Sequence, residues 1–285
     1  MKSRMARVFI TGSADGLGQL SAKSLIEQGH KVALHSRNAE RGHIAISKNP
    51  GAEAVFTGDL SNLVEIRNLA NELNESGAFD AVIHNAGVYK VSASEIFTVN
   101  TLAPYILTCL IKKPGRLIYL SSGMHFHGRP KLDKFENGNS HITYSDSKLH
   151  VLMLCMAVAR KWADVYSNAV DPGWVPTKMG GRGAPDNLRQ GYETQVWLAV
   201  SNDVHAKVTG SYFFHQKEKR HNPEADDVLL QERFLGLCHE ITVLLFRNRI
   251  KIKSRLNFFK KRLLHFNVIR DADHSCCIKV LVIQI

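Results

Sequence analysis

Short apolar runs alternate along the chain with longer stretches of helical periodicity. Residues 7–10, 31–35, 54–56, 81–84, 116–120, 167–170 and 211–214 have the length and content of strands buried on both faces. Between them, 17–28, 39–47, 63–75, 97–111, 145–162 and 192–200 read as helices. In 63–75 the apolar positions Leu63, Ile66, Leu69, Ala70 and Leu73 fall on one face, the stripe expected of a helix lying on a sheet. Strands alternating with helices predict right-handed βαβ units, hence an α/β fold with a doubly wound parallel sheet covered on both sides. Such a sheet takes its ligand at the carboxyl ends of the strands, where the strand order reverses.

Composition narrows this picture only a little. The chain has 285 residues, 44% of them hydrophobic, enough for one large domain. The net charge of +11 suggests nucleic acid until its distribution is counted. Residues 243–285 hold ten Lys or Arg against two Asp or Glu, whereas 1–242 hold 27 against 24. The body is nearly neutral, so the charge says nothing about what it binds. Five cysteines show no CxxC or Cys/His ligand spacing, and no metal site is expected; Cys109 and Cys155 sit in apolar helical stretches as free thiols. The apolar run 8–10 is too short for a signal peptide, and no run approaches the roughly 18 residues of a membrane span. A reducing, cytoplasmic setting is the expectation.

The candidate chemistry begins after the first strand, at Thr11-Gly12-Ser13-Ala14-Asp15-Gly16-Leu17-Gly18. Glycines between a strand and a helix allow tight backbone angles and close approach of a pyrophosphate, and the helix N-terminus adds free N–H groups. After the second strand come Ser36 and Arg37, where an NAD site would carry an acid for the ribose hydroxyls. Ser36 leaves room, and the Arg37 fork can pair with a 2′-phosphate, which favours NADP(H) with NAD as second choice. Tyr144 and Lys148 are four apart on one helix face, so an ammonium can lie beside a phenol. A cation within about 4–6 Å lowers an acid's pKa by roughly 1–3 units, which would make Tyr144 a usable acid or base.

The Gly-x-x-x-Gly-x-Gly spacing resembles the fingerprint of the short-chain dehydrogenase/reductase family, and the later landmarks follow in that family's order. The resemblance implies a Rossmann-type sheet and hydride transfer between NADP(H) and a small carbonyl or alcohol substrate. It implies a catalytic set of Tyr144, Lys148, Ser122 (with Ser121 as fallback) and Asn100, which would position a proton-relay water. It makes Asp59-Leu60 an adenine-contacting pair, although Asp59 reads equally as the N-cap of a helix beginning at Ser61. It sets Asn85-Ala86-Gly87 against the cofactor ribose, with His84 structural. It brings Pro172, Gly173, Val175 and Thr177 to the nicotinamide end. The loops 124–142 and 178–190 would form the substrate pocket, and Trp174, Met179 and Phe126 suggest that part of the substrate is apolar or aromatic, although each reads equally as core.

Three departures qualify the resemblance. The long polar insertion 125–141 between Ser122 and Tyr144 is similar to the retinol-dehydrogenase-like branch, and its histidines read as loop or pocket residues. The segment between Gly87 and Asn100 is short, which leaves homo-oligomerisation open. The basic residues 242–285 read as a non-homologous extension of a single domain spanning 1–241. An interleaved basic and apolar tail could also meet a membrane or nucleic acid, and the body gives no reason to expect either. The alternative function is a non-enzymatic dinucleotide-sensing regulator on the same fold; retention of both Tyr144 and Lys148 favours the enzyme.

Overall fold

The computed structural model describes residues 5–133 and 141–244, all within the compact unit Met1–Arg247. Of the basic extension 242–285, residues 245–285 lie outside the described residues.

Seven parallel strands and one antiparallel edge strand form a single sheet in the order β3-β2-β1-β4-β5-β6-β7-β8. The strands are β1 (Arg7–Ile10), β2 (Lys31–Ser36), β3 (Ala54–Thr57), β4 (Ala81–His84), β5 (Arg116–Leu120), β6 (Tyr166–Asp171), β7 (Ser211–Phe214) and β8 (Lys217–Lys219). The α-helices are α1 (Gly16–Glu27), α2 (Ala39–Lys48), α3 (Leu63–Glu75), α4 (Ala93–Ile96), α5 (Ala103–Leu110), α6 (Tyr144–Lys161), α7 (Leu188–Val200) and α8 (Val228–Thr242). Alternate residues of the parallel strands enter different cores, as the pleat requires, while β8 is exposed. Val8 and Ile10 pack with Ala22, Leu25 and Val196 under α1 and α7. Phe9 packs on the other face with Ile66, Leu69, Tyr105 and Leu152 under α3, α5 and α6. The two covered faces are the doubly wound architecture, and the strand order reverses between β1 and β4.

Three local features differ from the periodicity. The stretch 97–111 is not one helix. A π turn over Phe97–Leu102 separates α4 from α5. Pro104, at the start of α5, has no N–H to return to the preceding turn, and the helix widens there. The hairpin edge strand β8 and the helix α8 are both additional. Finally, α8 runs through Thr242, one residue past the expected boundary. Arg67 Nη2 donates to Thr242 O (2.5 Å) and the Tyr105 hydroxyl to Leu244 O (2.5 Å).

Candidate active site

The glycine turn is built by contacts with the ends of β2 and β4. Gly12 has φ +64°, and a Cβ there would lie 3.0 Å from Ala86 Cα. A Cβ on Gly18 would lie 2.4 Å from Asn85 Nδ2 and 2.5 Å from Gly12 O. Asn85 Nδ2 donates to Thr11 O (2.9 Å) and Gly12 O (3.1 Å), while Thr11 Oγ1 accepts from Ala86 N (3.0 Å). Ser13 Oγ donates to Ile10 O (3.0 Å) and accepts from His35 N (2.8 Å). Thr11, Ser13 and Gly18 thus hold the turn from behind, while Gly12, Asp15, Gly16 and Leu17 face a cavity of about 640 Å³. Asp15 caps α1 by accepting from Gly16 N (2.9 Å) and pairs with Lys178 from the loop after β6. The Lys178 ammonium holds the Asp15 carboxyl below its ordinary range.

His35 is a supporting residue that sequence reading missed. It is buried, its Nδ1 accepts from Gly12 N (2.9 Å), and its Nε2 lies 3.0 Å from Gly58 O. Those partners assign the proton to Nε2. Burial pulls the imidazole down to about 4, so it is neutral near pH 7. Nothing in the spacing announces this role; the residue stands in an apolar strand.

The cavity runs from the end of β2 across the α1 N-terminus to Tyr144 and Lys148. Ser36 Oγ donates to Asn38 O (2.9 Å), turning back into its own loop. Arg37 Nε donates to Asp59 Oδ2 (2.8 Å), and Asp59 Oδ1 accepts from Ser61 N (2.9 Å) and Ser61 Oγ (2.7 Å). Burial works to raise the Asp59 carboxyl, but the Ser61 and Arg37 donors outweigh it and hold it low. The helix-cap alternative for Asp59 is corrected: α3 is capped by Asn62, whose side chain accepts from Val64 N and Glu65 N. Arg41, in the first turn of α2, adds a second guanidinium to this end of the cavity. It was legible only as a position one helical turn beyond Arg37. Leu60, Ala86 and Gly87 complete the cavity wall between the two ends.

At the other end, a capping box of Thr143 and Asp146 starts α6 at Tyr144. Asp146 is buried and also accepts from Arg129 N (2.8 Å) and Lys131 Nζ (2.7 Å), which ties the loop after β5 to the helix start. Lys148 Nζ donates to Leu120 O (2.8 Å) and lies 5.3 Å from the centre of the Tyr144 ring. Ser122 Oγ accepts from Met124 N (3.3 Å) and is near enough to the Tyr144 phenol to favour its ionised form, whereas Ser121 lines the cavity and its Oγ donates to Lys148 O (2.9 Å). His125 Nδ1 lies 2.6 Å from Ser122 O, and its Nε2 accepts from Asn222 N (3.1 Å), so this buried histidine braces the serine. Asn100 is committed on both sides of its amide: Oδ1 accepts from Val88 N (2.8 Å), and Nδ2 donates to Val88 O (3.0 Å) and Ser147 Oγ (3.0 Å). Pro172 and Thr177 line the cavity; Gly173 donates to Asp171 Oδ1 (2.9 Å) and Val175 is buried behind them. Among the described residues no group of three His, Cys, Asp or Glu is placed to hold a metal.

The expected lowering of Tyr144 by Lys148 is not what this arrangement gives. Burial and the nearby Asp171 push the phenol up to about 12, with Ser122 opposing them. Burial also pulls Lys148 down to about 8. Desolvation is the largest influence on both groups.

Residues 6–187 match the family described as short chain dehydrogenase. The chain belongs to that family. This dehydrogenase is 44% identical over 251 residues to an uncharacterized oxidoreductase of Emericella nidulans, covering 84% of the chain and 97% of the relative. It is 28% identical over 270 residues to retinol dehydrogenase 14 of Mus musculus, covering 77% of the chain and 80% of the relative, and is of the retinol-dehydrogenase-like type. Its fold superposes on the Pseudomonas aeruginosa RhlG/NADP active-site complex with a TM-score of 0.61 and 20% identity, covering 75% and 98% of the two chains. The enzyme is an NAD(P)-dependent oxidoreductase that transfers hydride. No helix among its described residues is long and apolar enough to cross a membrane.

Proposed function

We propose that the enzyme uses NADP(H) to interconvert the carbonyl and alcohol of a small apolar or aromatic substrate. The observation that carries this reading is the convergence of Tyr144 and Lys148, with Ser122 adjoining the phenol, at one end of a cavity whose other end presents Arg37 and Arg41. The residues fit a dinucleotide: a Cβ-free turn at Gly12 beneath the α1 N-terminus for the pyrophosphate, and two guanidiniums for a 2′-phosphate. Two cations at that end, with Asp59 already paired to Arg37, favour NADP(H) over NAD. Bound NADPH supplies the hydride.

The chain's own residues do the rest. Ser122 Oγ and the Tyr144 phenol together hold the substrate oxygen. With its pKa near 12, Tyr144 carries its proton at neutral pH and can give it to that oxygen as negative charge develops there. Lys148, charged below about 8, stabilises the phenolate left behind and reaches the nicotinamide ribose. Asn100 ties the π turn to α6 through Ser147, and its segment would position the water that returns a proton. Pro172 and Thr177, which line the cavity, would frame the nicotinamide amide, with Gly173 and Val175 supporting the turn that carries them. Tyr89, Met124, Phe126, Trp174 and Met179 are exposed on loops after β4, β5 and β6, an apolar rim on the same edge of the sheet as Tyr144. Free buried Cys155 and Cys238 support a reducing, cytoplasmic setting. Residues 242–285 are read as an extension of the catalytic domain without a part in the chemistry.

Replacing Tyr144 with Phe tests the assignment. Turnover should fall about 10²–10⁴-fold while the dissociation constant for NADPH stays at its original value. Near-normal turnover would remove Tyr144 from the chemistry.

A further inference from the structure

We infer that Asp59 is a specificity-determining positioning residue: it holds Arg37 side-on, so that the outer face of the guanidinium is presented to a 2′-phosphate. The inference rests on the NADP(H) reading of the cavity and deepens it. Its basis is the way the carboxylate is spent. Oδ1 accepts from both the N–H and the hydroxyl of Ser61, and Oδ2 accepts from Arg37 Nε at 2.8 Å. The Asp59 backbone N–H is itself anchored to Glu65 Oε2 (2.8 Å) at the start of α3. Three of the roughly four acceptor positions of the carboxylate are thereby filled.

The pair is unequal in a telling way. The Asp59 side chain is 25% exposed and Arg37 is 62% exposed, so the acid is the fixed member and the arginine the held one. Asp59 takes the Nε–H, and among the described residues the two Nη nitrogens make no hydrogen bond. A guanidinium gripped at Nε keeps both Nη groups in its plane and open at the far edge, which suits two phosphate oxygens. Asp59 and Arg37 both line the cavity, as does Arg41. An arginine on a loop loses rotamer freedom when it binds an anion, and a partner that has already ordered it lowers that cost.

Adenosine 2′-phosphate and adenosine 5′-phosphate separate this role from an adenine contact, because both carry the base and only the first carries the 2′-phosphate. Binding of each to the whole enzyme is measured by calorimetry, beside the KM for NADPH and for NADH. In the wild type, tighter binding of the 2′-phosphate and a lower KM for NADPH are expected; without that preference the NADP(H) reading falls, and this inference with it. Asp59→Asn keeps the shape and an oxygen for Ser61 but gives up the charge facing Arg37. It should weaken the 2′-phosphate about fivefold, the scale of a partly exposed ion pair, and leave the 5′-phosphate unchanged. Equal weakening of both nucleotides would assign Asp59 to the adenine instead. Unchanged or tighter binding of the 2′-phosphate would make Asp59 a bystander or a competitor; either result overturns the inference while leaving the cofactor reading standing. Arg37→Ala provides the cross-check that does not depend on the loop: in that background Asp59→Asn should no longer change discrimination between the nucleotides. A persisting fivefold effect there would also overturn it.

Discussion

The two ends of the cavity are made differently. Around the glycine turn the polar groups are spent on other protein groups: Gly12 N–H on His35, Thr11 Oγ1 on Ala86, Asn85 on two carbonyls, Asp59 on Ser61 and Arg37. The space is closed as well, since a Cβ on Gly18 would overlap Asn85 and Gly12. Around Tyr144 the scaffolding is equally firm, but it stops short of the chemistry. Asp146 and His125 fix the helix start and the serine loop, while among the described residues the Tyr144 phenol makes no hydrogen bond and Ser122 Oγ only accepts from Met124 N, beneath an exposed apolar rim. The first end recognises one constant ligand and can be prebuilt in full. The second must leave hydrogen-bonding capacity for a substrate oxygen and apolar surface for the rest of the substrate. Substitutions at the first end should therefore cost stability and cofactor affinity together, and those at Tyr144 should cost turnover alone.

The sharpest break of that contrast would come from His35. His35→Leu takes the partner from the half-buried Gly12 N–H and the buried Gly58 O, costing about 2–6 kcal/mol at roughly 1–3 kcal/mol for each orphaned group, towards the lower end because water can reach Gly12. A melting temperature lower by about 5–15 °C is expected, together with a higher KM for NADPH and a kcat that changes little. His35→Gln offers one acceptor and one donor and should recover part of both losses. A His35→Leu protein melting like the wild type would show that the turn does not depend on its buried partners. Gly18→Ala follows in size, at about 1–3 kcal/mol for overpacking, because the contacts lie on backbone as well as on a side chain.

How far these features were legible follows from where their signals lie. The bounds of β1, β4, β5 and β7 could be read directly, because buried parallel strands are uninterrupted apolar runs between polar turns. Tyr144 and Lys148 were legible as a pair because one helix turn joins them. His35 and Gly12 are 23 positions apart, and no local pattern links an imidazole in a strand to a turn beside it in space. The β7–β8 hairpin escaped because His215 and Gln216 take positive φ values (50° and 60°) where glycine or asparagine would have announced a turn, and because β8 is wholly exposed Lys-Glu-Lys. The choice of Ser122 over Ser121 came from resemblance alone, since alternation along an extended segment says that they point oppositely but not which one faces Tyr144. The departure at Phe97–Leu102 turns on Pro104, whose effect reaches back over a helical turn.

Titration sharpens the contrast from the chemical end. Lys148 has a folded value of about 8 against an ordinary 10.5 because it is buried. Below pH 8 it is charged in both folded and unfolded chains. Between about 8 and 10 the folded protein has released that proton and the unfolded chain still binds it, so stability rises with pH in that window. Above about 10 the sign reverses, since unfolded Tyr144 ionises while the folded phenol, near 12, does not. Reduction should follow the opposite course, with kcat/KM falling by up to tenfold per unit above about pH 8 as the ammonium is lost. Thermal melts and kcat/KM measured from pH 7 to 9.5 should therefore diverge. Lys148→Met should remove this contribution to the rise in stability. Melts and rates that fall together through that range would mean that Lys148 does not control the alkaline limb.

The smallest effect should come from the contact that joins the two ends. Lys178, on the loop after β6, pairs with Asp15 on the glycine turn, and its side chain is 82% exposed. Exposed pairs contribute about 0–1 kcal/mol and weaken with salt. Lys178→Ala should then speed NADPH dissociation by no more than about fivefold at low ionic strength, with the difference from wild type shrinking as sodium chloride approaches 0.5 M. Stopped-flow release of NADPH at two salt concentrations reads this directly. No difference at low salt would mean that the loop closes over the cofactor independently of the turn. A difference much larger than fivefold, unchanged by salt, would mean that Lys178 touches the pyrophosphate itself, and that the firmly built end of the cavity is completed by the loop belonging to the other.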